Sequence, residues 1–392
     1  MDIFEKCRNF TQAKDAMAGG FYPYFIPLDE NEGTEVEYQG KRLIMCGSNN
    51  YLGLTTHPKV KEAAINAVAR FGTSCTGSRF LNGTLALHEQ LERELADFVG
   101  KEEALLFSTG MQVNLGSISS LIGRDDVVIL DKDDHASIVD GARLGYGKIE
   151  RYRHNDVHHL ERVLQSIPDN QGKLVIFDGV FSMGGDLADL KNLVPIAEKY
   201  GARVMVDDAH GMGVTGRGRG TAHEFGMTDR VDLIMSTFSK SFASLGGFIA
   251  GAESVVHYIK HTARSLIFSA SIPAGNAAAA LAALDIIRNE PERVDRVNVI
   301  ADRVRKEMRK MGFNVGESVT PIIPVIIGDD QKTFLTWKTL FENGVFVNPV
   351  ISPAVPQGMQ LLRTSYMATH TDSQVDQVLE IFHRVGKEVG II

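Results

Sequence analysis

Four short segments of this chain, DVVILD (126–131), KLVIFDG (173–179), ARVMVDD (202–208) and VDLIMST (231–237), are apolar at successive positions and not at alternate ones. A strand with one wet face alternates, so an uninterrupted apolar run reads as a strand covered on both faces. EALLFS (103–108), KIERYR (148–153) and GGFIAG (246–251) extend the set. Between and around them lie helical patterns such as HPKVKEAAINAVARF (57–71), TLALHEQLERELADFV (84–99), VNLGSISSLI (113–122), LKNLVPIAEKY (190–200) and PAGNAAAALAALDIIRN (273–289). Alternating buried strands and helices predict an α/β fold with a mostly parallel sheet sandwiched by helices. In such sheets ligands bind beyond the carboxyl ends of the strands, so the residues there are the first candidates for function.

The length of 392 residues is ample for a large core and exceeds one ordinary domain. Texture divides it into three: a polar N-terminal arm (1–45) with a helical start and a hairpin around Gly40, a large α/β domain (46–284), and a smaller α+β domain (285–392). The last carries the charged helix ERVDRVNVIADRVRKEMRKMG (292–312), strands PIIPVII, VFVNPV and LLRTSY, and a closing helix from Asp372. A net charge of −8 argues against nucleic acid as the main partner. Three widely spaced cysteines, Cys7, Cys46 and Cys75, read as free thiols in a reducing compartment. A charged N-terminus and the lack of any apolar run of about 18 residues lead us to expect a cytoplasmic chain without a signal peptide or membrane span. Glycine, at 38 residues, is over-represented, which implies tight turns or close approach of backbone to a ligand.

Three strand ends carry different chemistry: KLVIFDG runs into Ser182, ARVMV into Asp207-Asp208-Ala209-His210, and DLIMS into Thr237-Phe238-Ser239-Lys240. A lysine just past a buried strand is placed where desolvation frees its amine as a nucleophile, although a solvated surface lysine is the competing reading. Asp207 at a strand end needs a cationic partner or else serves as a turn cap. Taken together, Lys240, Asp207 and His210 form the set expected around pyridoxal phosphate: a Schiff-base lysine, a partner for the pyridinium nitrogen, and a hydrogen bond to the ring oxygen. Ser108-Thr109-Gly110-Met111-Gln112, between a strand and a helix, offers hydroxyls and amides to a phosphate. His135 opens a helix and could lie over a planar ring; Arg363 could reach a substrate carboxylate. Gly211 to Gly216 matches G-x-G-x-x-G, but no apolar-periodic helix follows, which disfavours a dinucleotide site. A divalent-metal hydrolase built from Asp133-Asp134-His135 and Asp207-His210 is a distant alternative that leaves Lys240 and Arg363 without a task.

The ordered segments SNNYLGL (48–54), GTSCTGSRFLNGT (72–84), DKDDHASIVDG (131–141), VFSMGGD (180–186), VDDAHGMG (206–213), STFSKS (236–241), FSASIP (268–273) and LLRTSYMATHT (361–371) resemble the α-oxoamine synthases, pyridoxal-phosphate enzymes of the aspartate-aminotransferase fold. Within that family, GSRFLNGT and STFSKS are most similar to the serine palmitoyltransferases. The resemblance implies pyridoxal 5'-phosphate as cofactor, L-serine and a long-chain acyl-CoA as substrates, and a homodimer with shared sites and at most peripheral membrane contact. It implies Lys240 as Schiff-base lysine, His135 stacked on the ring, Asp207 on the ring nitrogen and His210 on the ring hydroxyl. Gly110, Met111 and Thr237 would hold the phosphate, helped by Ser269, with Ala270 beside it, from the second subunit. Asn50, Ser182 and Arg363 would face the substrate, Ser182 also touching the cofactor and Arg363 lying on the substrate carboxylate, and Lys240 and His135 would be the catalytic residues. Glycine C-acetyltransferase and 8-amino-7-oxononanoate synthase are the alternatives within the family, and a catalytically silent scaffold subunit is another. The segment Ser352-Pro353-Ala354-Val355-Pro356 departs from the family's usual P-P-A-T-P, and Asp208 replaces its usual glutamate.

Overall fold

A computed structural model describes residues 2–392. Its centre is a seven-stranded sheet of β1 (Glu103–Phe107), β2 (Val127–Asp131), β3 (Lys148–Tyr152), β4 (Lys173–Asp178), β5 (Arg203–Asp207), β6 (Leu233–Thr237) and β7 (Gly247–Gly251). The spatial order is β1-β7-β6-β5-β4-β2-β3, and only β7 runs antiparallel to its neighbours. The continuous apolar runs follow from this arrangement. Val127, Ile129, Val175, Phe177, Val204 and Val206 pack into one core cluster, whereas Val128, Leu130, Leu174, Ile176 and Met205 pack into another on the opposite face. Both faces are buried, so neither parity can be polar.

Six strands point the same way, and the carboxyl ends of β1, β2, β4, β5 and β6 open onto one rim. Register puts Asp178 of β4 directly beside Asp207 of β5. Helix Gly110–Leu121 begins three residues after β1, and helix Ala136–Leu144 begins five residues after β2. Close approach of the first helix to the sheet depends on glycine. A Cβ on Gly247 would lie 2.8 Å from the Ser236 carbonyl oxygen, closer than real Cβ atoms come, and in a tight 3.0 Å contact with Gly110 Cα.

The C-terminal region builds its own core around Ile300, Val304, Met308, Trp337, Leu340, Leu362, Val378 and Phe382. Its three-stranded antiparallel sheet places Leu361–Ser365 between Ile322–Ile326 and Asn348–Val350. The N-terminal hairpin, Glu35–Tyr38 with Lys41–Met45, turns through positive φ at Gln39 and Gly40 and pairs in parallel with Val345–Phe346. Helix Asp330–Glu342 is not evident from the sequence pattern, because TFLTWKTLF is rich in β-branched and aromatic residues of modest helix propensity. Its Asp329 cap, accepting from Lys332 N, and its packing on the closing helix Asp372–Val389 override that preference. Among the described residues, no helix is long and apolar enough to cross a membrane.

Candidate active site

A cavity of about 240 Å³ sits at the rim and is lined by Gly110, Met111, His135, Ser182, Asp207, His210, Thr237 and Lys240, together with Asp178, which sequence reasoning did not single out. Every one of these lies at or just beyond a strand's carboxyl end, so the sheet topology itself brings residues 110 to 240 together.

At one end, Thr109 caps helix Gly110–Leu121, its hydroxyl accepting from Gln112 N at 3.1 Å. The N–H groups of Gly110 and Met111, first and second in the helix, have no intrahelical acceptor. Gly110 presses against Thr237, where an added Cβ would come within 2.8 Å of the threonine Cβ and Oγ1. Two free amides at a helix N-terminus thus converge beside Thr237, whose hydroxyl donates to the Gly246 carbonyl at 3.0 Å and lies 2.9 Å from Ser239 Oγ, and the free amides suit an anion.

In the middle, Asp207 is buried, accepting from Asn114 Nδ2 at 2.7 Å and from Ala209 N at 3.1 Å. Lys240 lines the cavity and is partly buried. Burial brings the ammonium down to about 8; the charges of Asp207 and Asp178 oppose that fall and Arg363 adds to it. His135 caps helix Ala136–Leu144: its Nδ1 lies 2.7 Å from Ser137 Oγ, and its backbone N donates to Asp178 Oδ2 at 2.9 Å. Desolvation lowers its pKa despite Asp207. His210 is held well below its ordinary value by burial first, then by Lys240 and Arg363. Both imidazoles are therefore neutral at physiological pH.

At the far end, Arg363 is 5% exposed. Its Nε donates to the Ser182 carbonyl at 2.7 Å and its Nη2 to the Tyr51 hydroxyl at 3.4 Å; that hydroxyl is 2.7 Å from His210 Nδ1. The guanidinium of the C-terminal region is thus wired to the cavity wall. Asn50 is also buried, but its amide serves the adjacent turn, accepting from Leu54 N and donating to Thr55 Oγ1. Ser269 accepts from Gln112 Nε2 of its own chain at 2.8 Å, beside the helix start, and the exposed Ala270 gives its carbonyl to Ser108 Oγ. Among the described residues, no group of three or more His, Cys, Asp or Glu side chains is arranged to hold a metal ion.

The donor set fits pyridoxal phosphate: an amine for the aldehyde, a buried carboxylate for a protonated ring nitrogen, and an anion cradle that a single Cβ would fill. The family model of aminotransferase class I and II matches residues 41–382. The chain belongs to that family. As a family member it is 49% identical over 390 residues to a serine palmitoyltransferase (SPT) of Sphingobacterium spiritivorum, with 99% of this chain and 98% of that one covered. It is 40% identical over 375 residues to an 8-amino-7-oxononanoate synthase of Alkaliphilus metalliredigens (strain QYMF), 95% of each being covered. Among solved structures, one of SPT with PLP internal aldimine matches at a TM-score of 0.97 and 37% identity, with both chains covered in full.

In this aminotransferase-family chain, sequence reasoning overlooked Tyr51, Asn114, Ser137 and Asp178. Asn114 left a trace: it is a polar residue on the buried side of a helix, beside Val113 and Ile118. Tyr51 lies within SNNYLGL, yet its bridging of His210 and Arg363 depends on residues 159 and 312 positions away.

Proposed function

We propose that this protein catalyses the decarboxylating condensation of L-serine with a long-chain acyl-CoA such as palmitoyl-CoA, releasing 3-ketosphinganine, CoA and CO2, the first step of sphingolipid biosynthesis. One observation carries the reading: a lysine whose pKa burial brings down to about 8 lines a cavity together with a buried carboxylate, and a buried arginine is anchored to the carbonyl of Ser182 in that cavity's wall. The 49% identity to an SPT along nearly the whole chain supports the serine assignment over the relative at 40%.

When bound, pyridoxal phosphate supplies an electron sink for a carbanion at the amino acid's Cα. Gly110 and Met111 amides with the Thr237 hydroxyl would hold its phosphate, Asp207 its ring nitrogen, His210 its ring hydroxyl, and His135 one face of its ring. Arg363 offers its remaining N–H groups to the serine carboxylate, with Ser182 and Asn50 at the substrate side. Lys240, neutral in a substantial fraction of molecules, takes the proton from Cα and later returns one. The new bond joins that carbon to the thioester carbonyl carbon; the thiolate of CoA leaves, and the carboxylate leaves as CO2. Asn114 keeps Asp207 in place and so maintains the protonated ring nitrogen.

We read the protein as a homodimer with shared sites, in keeping with the exposure of Met111 and Leu245 in the lining of the cavity. We read residues 1–45 as an arm, 46–284 as the cofactor domain and 285–392 as the domain that supplies Arg363. We place the enzyme in the cytoplasm, with at most peripheral membrane contact. The test adds L-serine, glycine and L-alanine separately to the PLP-loaded protein, records the cofactor absorbance, and assays 3-ketosphinganine with palmitoyl-CoA by mass spectrometry. L-serine should give the largest shift and the product. A response to glycine alone or to L-alanine alone would move the assignment to another α-oxoamine synthase.

A further inference from the structure

His154 lies two residues past β3, outside the cavity, yet both of its ring nitrogens face carboxylates. Nδ1 is 3.1 Å from Asp131 Oδ1 and Nε2 is 2.9 Å from Asp186 Oδ2. Ionised carboxylates only accept, so both nitrogens must donate, and only the imidazolium has two N–H groups. The charged groups around it agree with that state. Asp133 Oδ2 is 3.8 Å from Nδ1, and Asp133, Asp186 and Glu317, opposed by the single cation Lys132, line the adjoining cavity of about 810 Å³. Burial alone would lower the histidine's pKa, but hydrogen bonds to Asp131 and Asp186 outweigh it and hold the pKa at about 10.

The two anchors differ in kind. Asp131 is fully buried at the end of β2 and is already fixed, accepting from Asp133 N and Asn155 N at 2.9 Å each. Asp186 belongs to the loop after β4. That loop closes on itself: Phe181 N donates to the Asp186 carbonyl at 3.0 Å, and Gly185 N to the Phe181 carbonyl at 2.9 Å. The Phe181 ring meets the His154 ring edge-on at 4.3 Å, and Asn155 Nδ2 donates to the Leu187 carbonyl at 2.9 Å. At the tip of this loop is the Ser182 carbonyl that receives Arg363 Nε. The sheet end therefore connects to the guanidinium through a cation, a carboxylate and one short loop.

We propose that His154 is a positioning residue for Arg363, a cation that ties the 181–186 loop to the end of β2 and so orients the guanidinium for the substrate carboxylate. The inference rests on the reading above that Arg363 binds that carboxylate. Without the cation the loop loses its only charge-assisted tie to the end of β2 among the described residues and keeps neutral bonds such as those from Val319 N and Thr320 Oγ1 to the Gly185 carbonyl, so the Ser182 carbonyl shifts within the remaining loop contacts. The effect is then confined to ligands that carry a carboxylate.

PLP-loaded wild type, His154→Gln, Asp186→Asn and Arg363→Leu are titrated with L-serine and with ethanolamine, which is serine without its carboxylate, following cofactor absorbance. Gln carries no charge and cannot reproduce the two opposed N–H groups of the imidazolium. His154→Gln should weaken L-serine about tenfold, the scale of one charge-assisted hydrogen bond, and ethanolamine less than about twofold. In turnover, KM for L-serine should rise while kcat stays within about threefold. Asp186→Asn, at a partly exposed position, should show the same selectivity to a smaller degree and keeps the test valid if His154→Gln folds poorly. Equal weakening of both ligands, or unchanged L-serine affinity in both loop variants, overturns the proposal. If Arg363→Leu also leaves L-serine affinity unchanged, the underlying assignment of Arg363 fails; if Arg363→Leu weakens L-serine and the loop variants do not, only the role of His154 fails.

Discussion

The Lys240 amine gives the most direct quantitative test of the site. At pH 7.5 a lysine titrating at 10.5 is neutral in roughly one molecule in a thousand, whereas one at about 8 is neutral in roughly a quarter, a gain in nucleophile of about two orders of magnitude. The assay exposes cofactor-free protein to a brief pulse of pyridoxal phosphate across pH 6 to 11, traps the imine with borohydride, and quantifies modification at Lys240 by mass spectrometry. A free lysine peptide in the same vessel cancels the aldehyde's own pH dependence. The relative rate should reach half its maximum near pH 8. Asp207→Asn removes an anion that favours the ammonium and should move the midpoint lower; Arg363→Leu removes a cation and should move it higher. The same shift has a thermodynamic counterpart. A lysine whose pKa falls on folding binds fewer protons folded than unfolded between pH 8 and 10.5, so its contribution to stability rises with pH across that window. At pH 7 the buried ammonium costs at most about 3 kcal/mol, and cofactor-free Lys240→Met should therefore melt higher than wild type. A midpoint above 9.5, or a Lys240→Met protein that melts lower, refutes the account of a desolvated amine.

Four further outcomes follow from the geometry. Arg79 and Glu92 form a buried bidentate pair at 2.7 and 3.0 Å, and Glu92 also accepts from Leu106 N; Glu92→Ala should cost about 3–5 kcal/mol in urea unfolding by stranding the arginine. Gly110→Ala drives a methyl into Thr237, and overpacking of about 1–3 kcal/mol should weaken pyridoxal phosphate about five- to hundredfold, so wild-type affinity in equilibrium dialysis would remove the helix start from the phosphate site. A thiol reagent should modify exposed Cys7 rapidly, Cys75 more slowly, and Cys46, whose thiol burial pushes far up, only on unfolding; early modification of Cys46 contradicts its burial. Asp178→Asn should change cofactor affinity less than about threefold while Asp207→Asn loses it more than about hundredfold, and equal losses would show that both acids carry charge.

The sequence made the sheet legible because burial on both faces writes itself as uninterrupted apolar runs, and it made Lys240, Asp207, His210 and His135 legible because each follows such a run within a few residues. What it concealed is whatever depends on residues brought together only by folding. Asn114 meets Asp207 across 93 positions, and Tyr51 meets Arg363 across 312. The histidine clamp at His154 joins the ends of β2 and β3 to the loop after β4, which nothing in the local pattern RYRHND announces.

The division of labour between Asp178 and Asp207 belongs to the same class. The two acids end adjacent parallel strands in direct register, so identical local sequence logic, a carboxylate closing a buried strand, applies to both. Their partners separate them. Asp207 accepts from an amide side chain and a backbone N–H, which stabilise an anion. Asp178 accepts one backbone bond from His135, and burial first, then the neighbouring Asp207 charge, raises its pKa well above the ordinary carboxylate range. Behind it, Asp134 is pushed the same way by burial and by Asp178 and Asp131. Like charges packed this closely cannot all ionise, so the donors decide which acid keeps the charge. The acid better supplied with donors therefore sits on the strand between β4 and β6, and that placement is a property of the sheet order and not of any one motif.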